Sequence, residues 1–581
     1  MMMRKTRIVA LAAVFIGAIT AAMVAQGPAP AGQPPLPAAG GQGRGGAGGG
    51  GGQGRGGGGP QVQIPAPNVT FDRILKADQE PQNWLLYSGG TKSQRYSQLN
   101  QITTDNAKGL TLKWVYPTQS TEKHEATPLV VDGTMYLVKN TNDVVAINAA
   151  TGAVQWTYRH AYDAATRNPC CGKLSRGLAI LGNTLFLAAY DARMIAIDAR
   201  NGRELWNTPA ADIKQAYAFT TAPQVVKNRV IAGTAGGENG VRGFLAAWDV
   251  ETGKEVWRFN TVPGPGEPGN DSWSGDSWMH GGAPVWVTGS YDPETNLIIW
   301  GTGNPGPDWD GAARLGDNLY SCSVIAIDAD TGKIKWHYQF SPHNEFDWDS
   351  TQVPVLADID WQGRPRKVML FANRNGMFYV LDRSTGEFLK GAPFVKVNWA
   401  TGFDAKGRPN QVLNPTRDGV LVYPGNQGGT NWYNPSFSPR TGLFYVPAWE
   451  NSSSTYWKGE APPEFHDGQG FAGPFPRGGQ RGDDVFSTVR AIDPKTSNKV
   501  WDFRLNAPST EGGVLTTAAD VLFAGGRDGQ FVALDARNGK LLWQTSLGLS
   551  VASGPMTYSV NGKQYVTVTA MNIVYTFGLP D

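Results

Sequence analysis

The chain reads as an all-β protein, an eight-bladed β-propeller preceded by an export signal and a disordered linker. Three observations lead there. One hairpin unit recurs eight times along the 581 residues. Most copies are spaced by roughly 40 to 55 residues, the length of a four-stranded blade. The segment 564–570 near the C-terminus is a further strand, placed to complete the first blade and close the ring.

Taken in order, residues 1–26 read as a signal peptide or retained anchor. Arg4, Lys5 and Arg7 precede an apolar run over 8–25 with small residues near its end. If kept, that run is long enough to span a bilayer and would tether the protein to a membrane. Residues 27–67 are almost entirely Gly, Pro, Ala and Gln, a composition that buries no core and predicts a disordered linker. The propeller is expected over 68–581. Formal net charge is +2, with both signs interspersed. That excludes the electrostatic footprint of a nucleic-acid partner.

The repeat is an apolar strand, Asp or Asn, a Gly turn, a short strand and Trp. Clear copies run over 146–156, 196–206, 247–257, 326–336, 491–501 and 533–543. A weaker one over 380–389 ends in Leu in place of Trp, and a degenerate first copy ends at Trp114. The acidic or amide side chain caps the turn, Gly supplies positive φ, and Trp is expected to dock on the neighbouring blade. Two intervals are long. Gly- and Pro-rich stretches within them, near 264–282 and 462–482, are expected to lie over the funnel.

Propellers bind ligands at the axis, so site residues should be scattered at blade spacing. Glu238 sits in Gly-Gly-Glu-Asn-Gly, Asn304 in Gly-Thr-Gly-Asn-Pro-Gly-Pro, and Asp347 and Asp349 in Phe-Asp-Trp-Asp-Ser. All are oxygen donors. With no His/Cys cluster of zinc spacing, a metal here would be a hard cation. Each residue taken singly also reads as a turn cap. Cys170 and Cys171 are adjacent, with Arg176 soon after. Such a pair reads as two buried thiols, as redox chemistry, or as a rigid polarizable surface; an oxidising compartment would permit a disulfide.

Together these motifs resemble the quinoprotein alcohol dehydrogenases of the methanol dehydrogenase family. Those are eight-bladed propellers that use pyrroloquinoline quinone (PQQ) and a bound metal. The resemblance covers the chain from about Phe71 onward. It implies that Cys170 and Cys171 form a vicinal disulfide against one face of PQQ, and that Trp286 stacks on the other. It implies further cofactor contacts from Glu125, Arg176, Thr220, Gly236, Gly237, Asn431 and Trp432. Arg374, in Asn-Arg-Asn-Gly, matches the cation at the reactive quinone oxygens. Glu238, Asn304 and Asp347 match metal ligands, and Asp347 also the catalytic base. The implied reaction is oxidation of an alcohol to an aldehyde or ketone, with hydride passing to metal-bound PQQ in the periplasm.

Asp349 bears on the metal. Calcium-dependent relatives have a small residue at this place, whereas lanthanide-dependent ones have aspartate. Three carboxylates also overcompensate a divalent ion, so a lanthanide is favoured over calcium. Glu511 stands where methanol dehydrogenases place tryptophan, which predicts a wider or more polar cavity. No Cys-x-x-Cys-His occurs, so electrons would pass to a separate acceptor such as cytochrome c. Cys322 is expected to be an inert core residue, and His124 and His343 to shape loops. The rival reading is a non-catalytic propeller scaffold of envelope assembly. It explains the repeat equally well, but not the vicinal cysteines, Arg374 or the carboxylates.

Overall fold

A computed structural model describes residues 63–163, 165–167, 171–461, 463–478 and 485–580. The expected signal peptide and nearly all of the linker lie outside these residues. The described part belongs to the compact unit Pro60–Asp581.

Eight sheets built on antiparallel meanders follow one another as blades among the described residues; seven are four-stranded, and the one that starts at Val514–Thr517 gains Tyr96–Ser97 as a parallel fifth strand. Seven take their four antiparallel strands from one stretch of chain each, the one over 436–504 with two inserted strands that pair in a separate sheet. The second blade, for example, is built from Leu129–Val131, Thr134–Val138, Val144–Asn148 and Val154–Tyr158. The eighth closes the ring. Thr111–Pro117 pairs antiparallel with Ile573–Gly578, which pairs in turn with Lys563–Ala570. The segment expected to complete the first blade therefore does so.

The recurrent turn works as its sequence suggests. Asp249 Oδ1 accepts the N–H groups of Glu251 and Thr252. A bulge in the outer strand pair then shifts the register by one residue, for example between Ala247 and Trp248. The tryptophan it presents lies over the glycine of the next blade. A Cβ on Gly202 would sit 2.6 Å from the Trp156 ring, and one on Gly539 2.6 Å from the Trp501 ring. The indole N–H groups of Trp114, Trp156, Trp206, Trp257 and Trp501 each donate to a backbone oxygen of the following blade at 3.1 Å. Gly is thus required twice in each turn, for positive φ and for the close indole.

One expectation needs correction. The weaker copy was expected to carry Leu389 at the tryptophan position. The pairing registers place Lys390 there, opposite Val380, just as Trp336 stands opposite Ala326. In the next blade the glycine is replaced by Ser497, at φ +61°. The two changes go together, because without an indole overhead a side chain fits on the turn. A groove of about 230 Å³, lined by Phe394, Val395, Arg490 and Ser497 among others, remains between these blades.

In an antiparallel meander, the loops entering each blade and those joining its second and third strands share one end of the propeller. The Asp-Gly turns occupy the other end. The motif that builds the fold is therefore kept apart from the loops that carry chemistry. Among the described residues, no helix is long and apolar enough to cross a membrane.

Candidate active site

The loop after Ser341 illustrates how local sequence aims a functional side chain. Asn344 Oδ1 accepts the N–H groups of Phe346 and Trp348, fixing a tight turn. Phe346 and Trp348 are fully buried in an aromatic cluster with Trp399 and Tyr456. Their alternation turns Asp347 and Asp349 toward the axis. Asp347 takes φ +57°, a conformation that Asp tolerates better than most residues. Its side chain keeps 17 % exposure, against 7 % for Asp349. Asp347 is the more accessible of the two carboxylates.

Arg374 occupies the turn between strands Arg364–Ala372 and Met377–Asp382. Asn373 Oδ1 accepts the N–H of Asn375, and Gly376 adopts φ +89°. The guanidinium donates from Nη2 to Asp347 (2.9 Å), from Nη1 to Asp349 (2.7 Å) and from Nε to the Asn426 carbonyl (2.7 Å). Burial works against its charge, but Asp347 and Asp349 outweigh that and hold Arg374 above its ordinary pKa.

Glu238 lies on the short turn Gly237–Asn239, between Gly236 at φ +103° and Gly240 at φ +66°. A Cβ on Gly237 would meet Pro284 at 2.7 Å, so glycine lets Glu238 come close to the Asn304 loop. Burial pushes the Glu238 carboxyl up to about 7, with Asp349 adding to it. Burial likewise raises Asp347 and Asp349 above the usual carboxylate range. Asp349 Oδ1 accepts the backbone N–H of Asn304 at 2.5 Å. It is tied into the cluster rather than capping its own turn.

On the opposite side, Arg176 is held by Glu125 at 2.7 Å and by the carbonyls of Thr220 and Trp286. Its guanidinium lies 4.8 Å from the Trp286 ring and 5.2 Å from that of Trp432. Lys123 adds a second cation, 3.2 Å from Glu125 and 2.9 Å from Glu511. Asn431 Oδ1 accepts the N–H of Trp432.

These side chains border one cavity of about 300 Å³. Of the residues expected in the site, Glu125, Cys171, Arg176, Thr220, Gly236, Glu238, Trp286, Asp347, Asp349, Arg374, Asn431 and Trp432 line it. Gly237 and Asn304 stand directly behind, with Asn304 Oδ1 facing Gly237. Cys170, and with it the expected pairing to Cys171, lies outside the described residues. His124 and His343 bond backbone carbonyls, as expected of loop-shaping residues. Cys322 is a buried free thiol.

Seven polar or aromatic contributors escaped the sequence reading: Lys123, Asp308, Trp309, Asn426, Gln427, Tyr433 and Phe475. Asp308 follows the Asn304 motif in Pro-Gly-Pro-Asp, where it reads as a turn residue. Trp309 and Phe475 meet edge-to-face at 4.7 Å over the cavity mouth. The excursion bearing Phe475 is seated on the site, because Phe471 N–H donates to the Glu238 carbonyl at 2.6 Å.

The donor chemistry fits both a hard cation and a planar polyanion. Glu238, Asp308, Asp347 and Asp349 offer carboxylate oxygens to the cavity, with Asn304 Oδ1 behind them beside Gly237, and Glu238 Oε2 is buried with no hydrogen-bond partner. Among the described residues, no His/Cys/Asp/Glu group is drawn in to cation-bonding distance of one point; Arg374 bridges two of the carboxylates. At the other wall two indoles provide flat surfaces, and Arg176 Nε is buried and unpaired. An anionic ring system would satisfy it.

Fold and cavity together define a β-propeller with a polar, carboxylate-rich axial cavity. A family model for the PQQ glucose/ethanol/alcohol dehydrogenase β-propeller domain matches residues 84–401 and 483–566. The quinohemoprotein alcohol dehydrogenase of Comamonas testosteroni is 40% identical over 506 residues, 82% of this chain and 70% of that protein. The lanthanide-dependent methanol dehydrogenase of Methylacidiphilum fumariolicum (strain SolV) is 36% identical over 86% of each chain. A solved structure described as europium-containing methanol dehydrogenase superposes with a TM-score of 0.80 at 32% identity, covering 87% of this chain and all of that one. The chain belongs to the PQQ-dependent dehydrogenase family, and it is an alcohol dehydrogenase.

Proposed function

We propose that alcohol oxidation takes place in the axial cavity, with Asp347 as the general base and a lanthanide favoured over calcium. The observation that carries this reading is the paired contact of Arg374 with Asp347 and Asp349 inside a buried, oxygen-only donor set. PQQ would lie between Trp286 and the Cys170–Cys171 pair, its carboxylates met by Arg176 and Lys123, with Glu125, Thr220, Gly236, Gly237, Asn431 and Trp432 around its edge. Glu238, Asn304, Asp347 and Asp349 would hold the metal.

When bound, PQQ supplies the two-electron acceptor and the metal supplies the Lewis acid that polarises it. The protein's part is positional and electrostatic. Arg374 engages Asp347 Oδ2, which leaves Oδ1 to take the hydroxyl proton of the alcohol. Burial raises the Asp347 carboxyl above its ordinary range, which makes it a stronger base. Arg374 also brings fixed positive charge to the place where negative charge develops. The buried Trp309 and Trp432 present apolar walls to the carbon chain of the substrate, with the more exposed Phe475 beside Trp309.

Oxidation of an alcohol releases two electrons and two protons. Since the chain carries no Cys-x-x-Cys-His, the electrons leave to a separate acceptor such as cytochrome c. The charged, apolar start of the sequence supports export to the periplasm, with residues 1–26 as signal or anchor and 27–67 as linker to the propeller at 68–581. Similarity to relatives named lanthanide-dependent and europium-containing supports the choice of metal.

Asp347→Asn tests the base directly. Turnover should fall by about 10²- to 10⁴-fold, while PQQ absorbance on the protein persists. Turnover near wild type would remove Asp347 from the base role.

A further inference from the structure

Asp308 is a buried carboxylate, 1 % exposed, that borders the same cavity as Glu238, Asp347 and Asp349. Those three are its charged neighbours, with Arg314 behind it. Arg314 is itself fully buried and grips the main chain on both sides of the site. It donates to the carbonyls of Pro307 (3.0 Å), Asp308 (3.2 Å) and Asn344 (2.5 Å) and to Asn318 Oδ1 (2.8 Å). Its hydrogen bonds thus fix the Asp308 backbone and leave the carboxylate to face the cavity.

That carboxylate accepts a hydrogen bond from Asn304 Nδ2, which also donates to the Pro305 carbonyl. Two acceptors on this side settle the orientation of the amide. Asn304 Oδ1 is turned the other way, toward Gly237 beside Glu238. Asp308 thus borders the cavity directly, and Asn304 Oδ1 lies behind the lining on the Glu238 side.

The charge count sharpens the point. Glu238, Asp308, Asp347 and Asp349 are four carboxylates, and Arg374 is the one guanidinium paired among them. Fully ionised, the set carries a formal charge of −3. Buried charge of that size is costly unless balanced, and a divalent ion leaves one unit uncompensated where a trivalent ion leaves none.

We propose that Asp308 is a further carboxylate ligand of the cation site, beside Glu238, Asn304, Asp347 and Asp349, and that its charge matches the site to a trivalent ion. This rests on the cation reading above. The chain departs here from a four-residue set by carrying its extra acid on the same loop as Asn304.

The test is europium(III) binding to the PQQ-reconstituted protein, followed by luminescence titration and by excited-state lifetimes in H₂O and D₂O, which count inner-sphere water. Calcium affinity is measured alongside by competition. Absence of europium binding to wild-type protein would sink the cation reading itself. Given wild-type binding, Asp308→Asn keeps the acceptor for Asn304 but removes the charge. Its europium affinity should fall by about 100-fold, its inner-sphere water count should rise by about one, and its calcium affinity should change by less than about tenfold. Asp308→Glu, which keeps the charge, should recover most of the europium affinity and guards against a loss that reflects misfolding. Wild-type europium affinity and water count in Asp308→Asn would overturn the proposal. So would an equal loss for both ions with no added water, because that is the signature of a structural residue.

Discussion

The backbone N–H of Asn304 donates to Asp349 Oδ1 across 2.5 Å, joining two loops 45 residues apart in sequence. This bond makes Asp349 part of the axial cluster, with its second oxygen held by Arg374 at 2.7 Å. Asp349→Ala removes a charge and frees both partners. Lanthanum-supported turnover should fall by at least about 100-fold, the upper range for lost support of a metal centre. Calcium-supported turnover should fall by less than about tenfold. Steady-state rates with each ion added to apo-protein decide between this and a mere turn residue, which would lower both alike.

The blade interface offers a second test. Gly202 lies under Trp156 with room for no Cβ, whereas Ser497 occupies the equivalent turn beside a blade that presents Lys390. Gly202→Ser should destabilise the protein by about 2 kcal/mol or more through overpacking and a strained φ. Lys390→Trp combined with Ser497→Gly should raise the melting temperature, because an indole then covers the open interface. Lys390→Trp alone should not. Thermal unfolding of the three variants measures the coupling.

These contrasts show what was legible in the chain. Glycine under tryptophan is a steric rule that repeats at fixed spacing, so the eight blades and their closure could be read directly. The Lys390 position was misread by one residue, because the bulge between Val380 and Leu381 shifts the register and a glance at apolar character picks Leu389. Site residues share no repeated motif. Glu238, Asn304, Asp347 and Asp349 could be picked out as oxygen donors at roughly blade spacing, but each also reads as a turn cap, and their joint role, with that of Arg374, came only from the resemblance to family motifs. Asp308 stayed hidden because an aspartate after Pro-Gly-Pro looks like a solvated turn, and its burial depends on Arg314 folding back over the loop. Lys123 and Glu511 are 388 residues apart, so no local pattern announces their pairing.

Glu511 governs the shape of the far wall. It pairs with Lys123 at 2.9 Å and with Arg527 at 3.5 Å. Glu511→Trp places a large apolar ring there. The ratio of kcat/KM for short primary alcohols to that for larger or hydroxylated ones should rise by about tenfold, the scale of one lost or gained packing contact. A substrate panel with a dye acceptor reports it, and an unchanged ratio would separate Glu511 from specificity.

His124 supplies a pH test independent of cofactor. Burial holds its pKa down at about 4, although it donates to the Val138 carbonyl. In the unfolded chain the value is about 6.5. The folded state therefore favours the neutral ring. The associated stability is fully present above pH 6.5 and is lost as the pH falls from there to about 4. The shift corresponds to about 3 kcal/mol. The buried carboxylates act with the opposite sign, because their raised pKa values favour the folded state at low pH. The difference between wild type and His124→Gln isolates the histidine. Denaturant unfolding from pH 7 to 4 should show a flatter profile for the variant.

The most direct measurement is dye-linked alcohol oxidation by apo-protein reconstituted with PQQ, with lanthanum and calcium added in separate reactions. The structure predicts turnover with lanthanum well above that with calcium. Turnover with calcium alone would contradict the charge matching of the axial carboxylates, and no turnover with either ion, together with no PQQ retained, would contradict the assignment of the cavity as the site of alcohol oxidation.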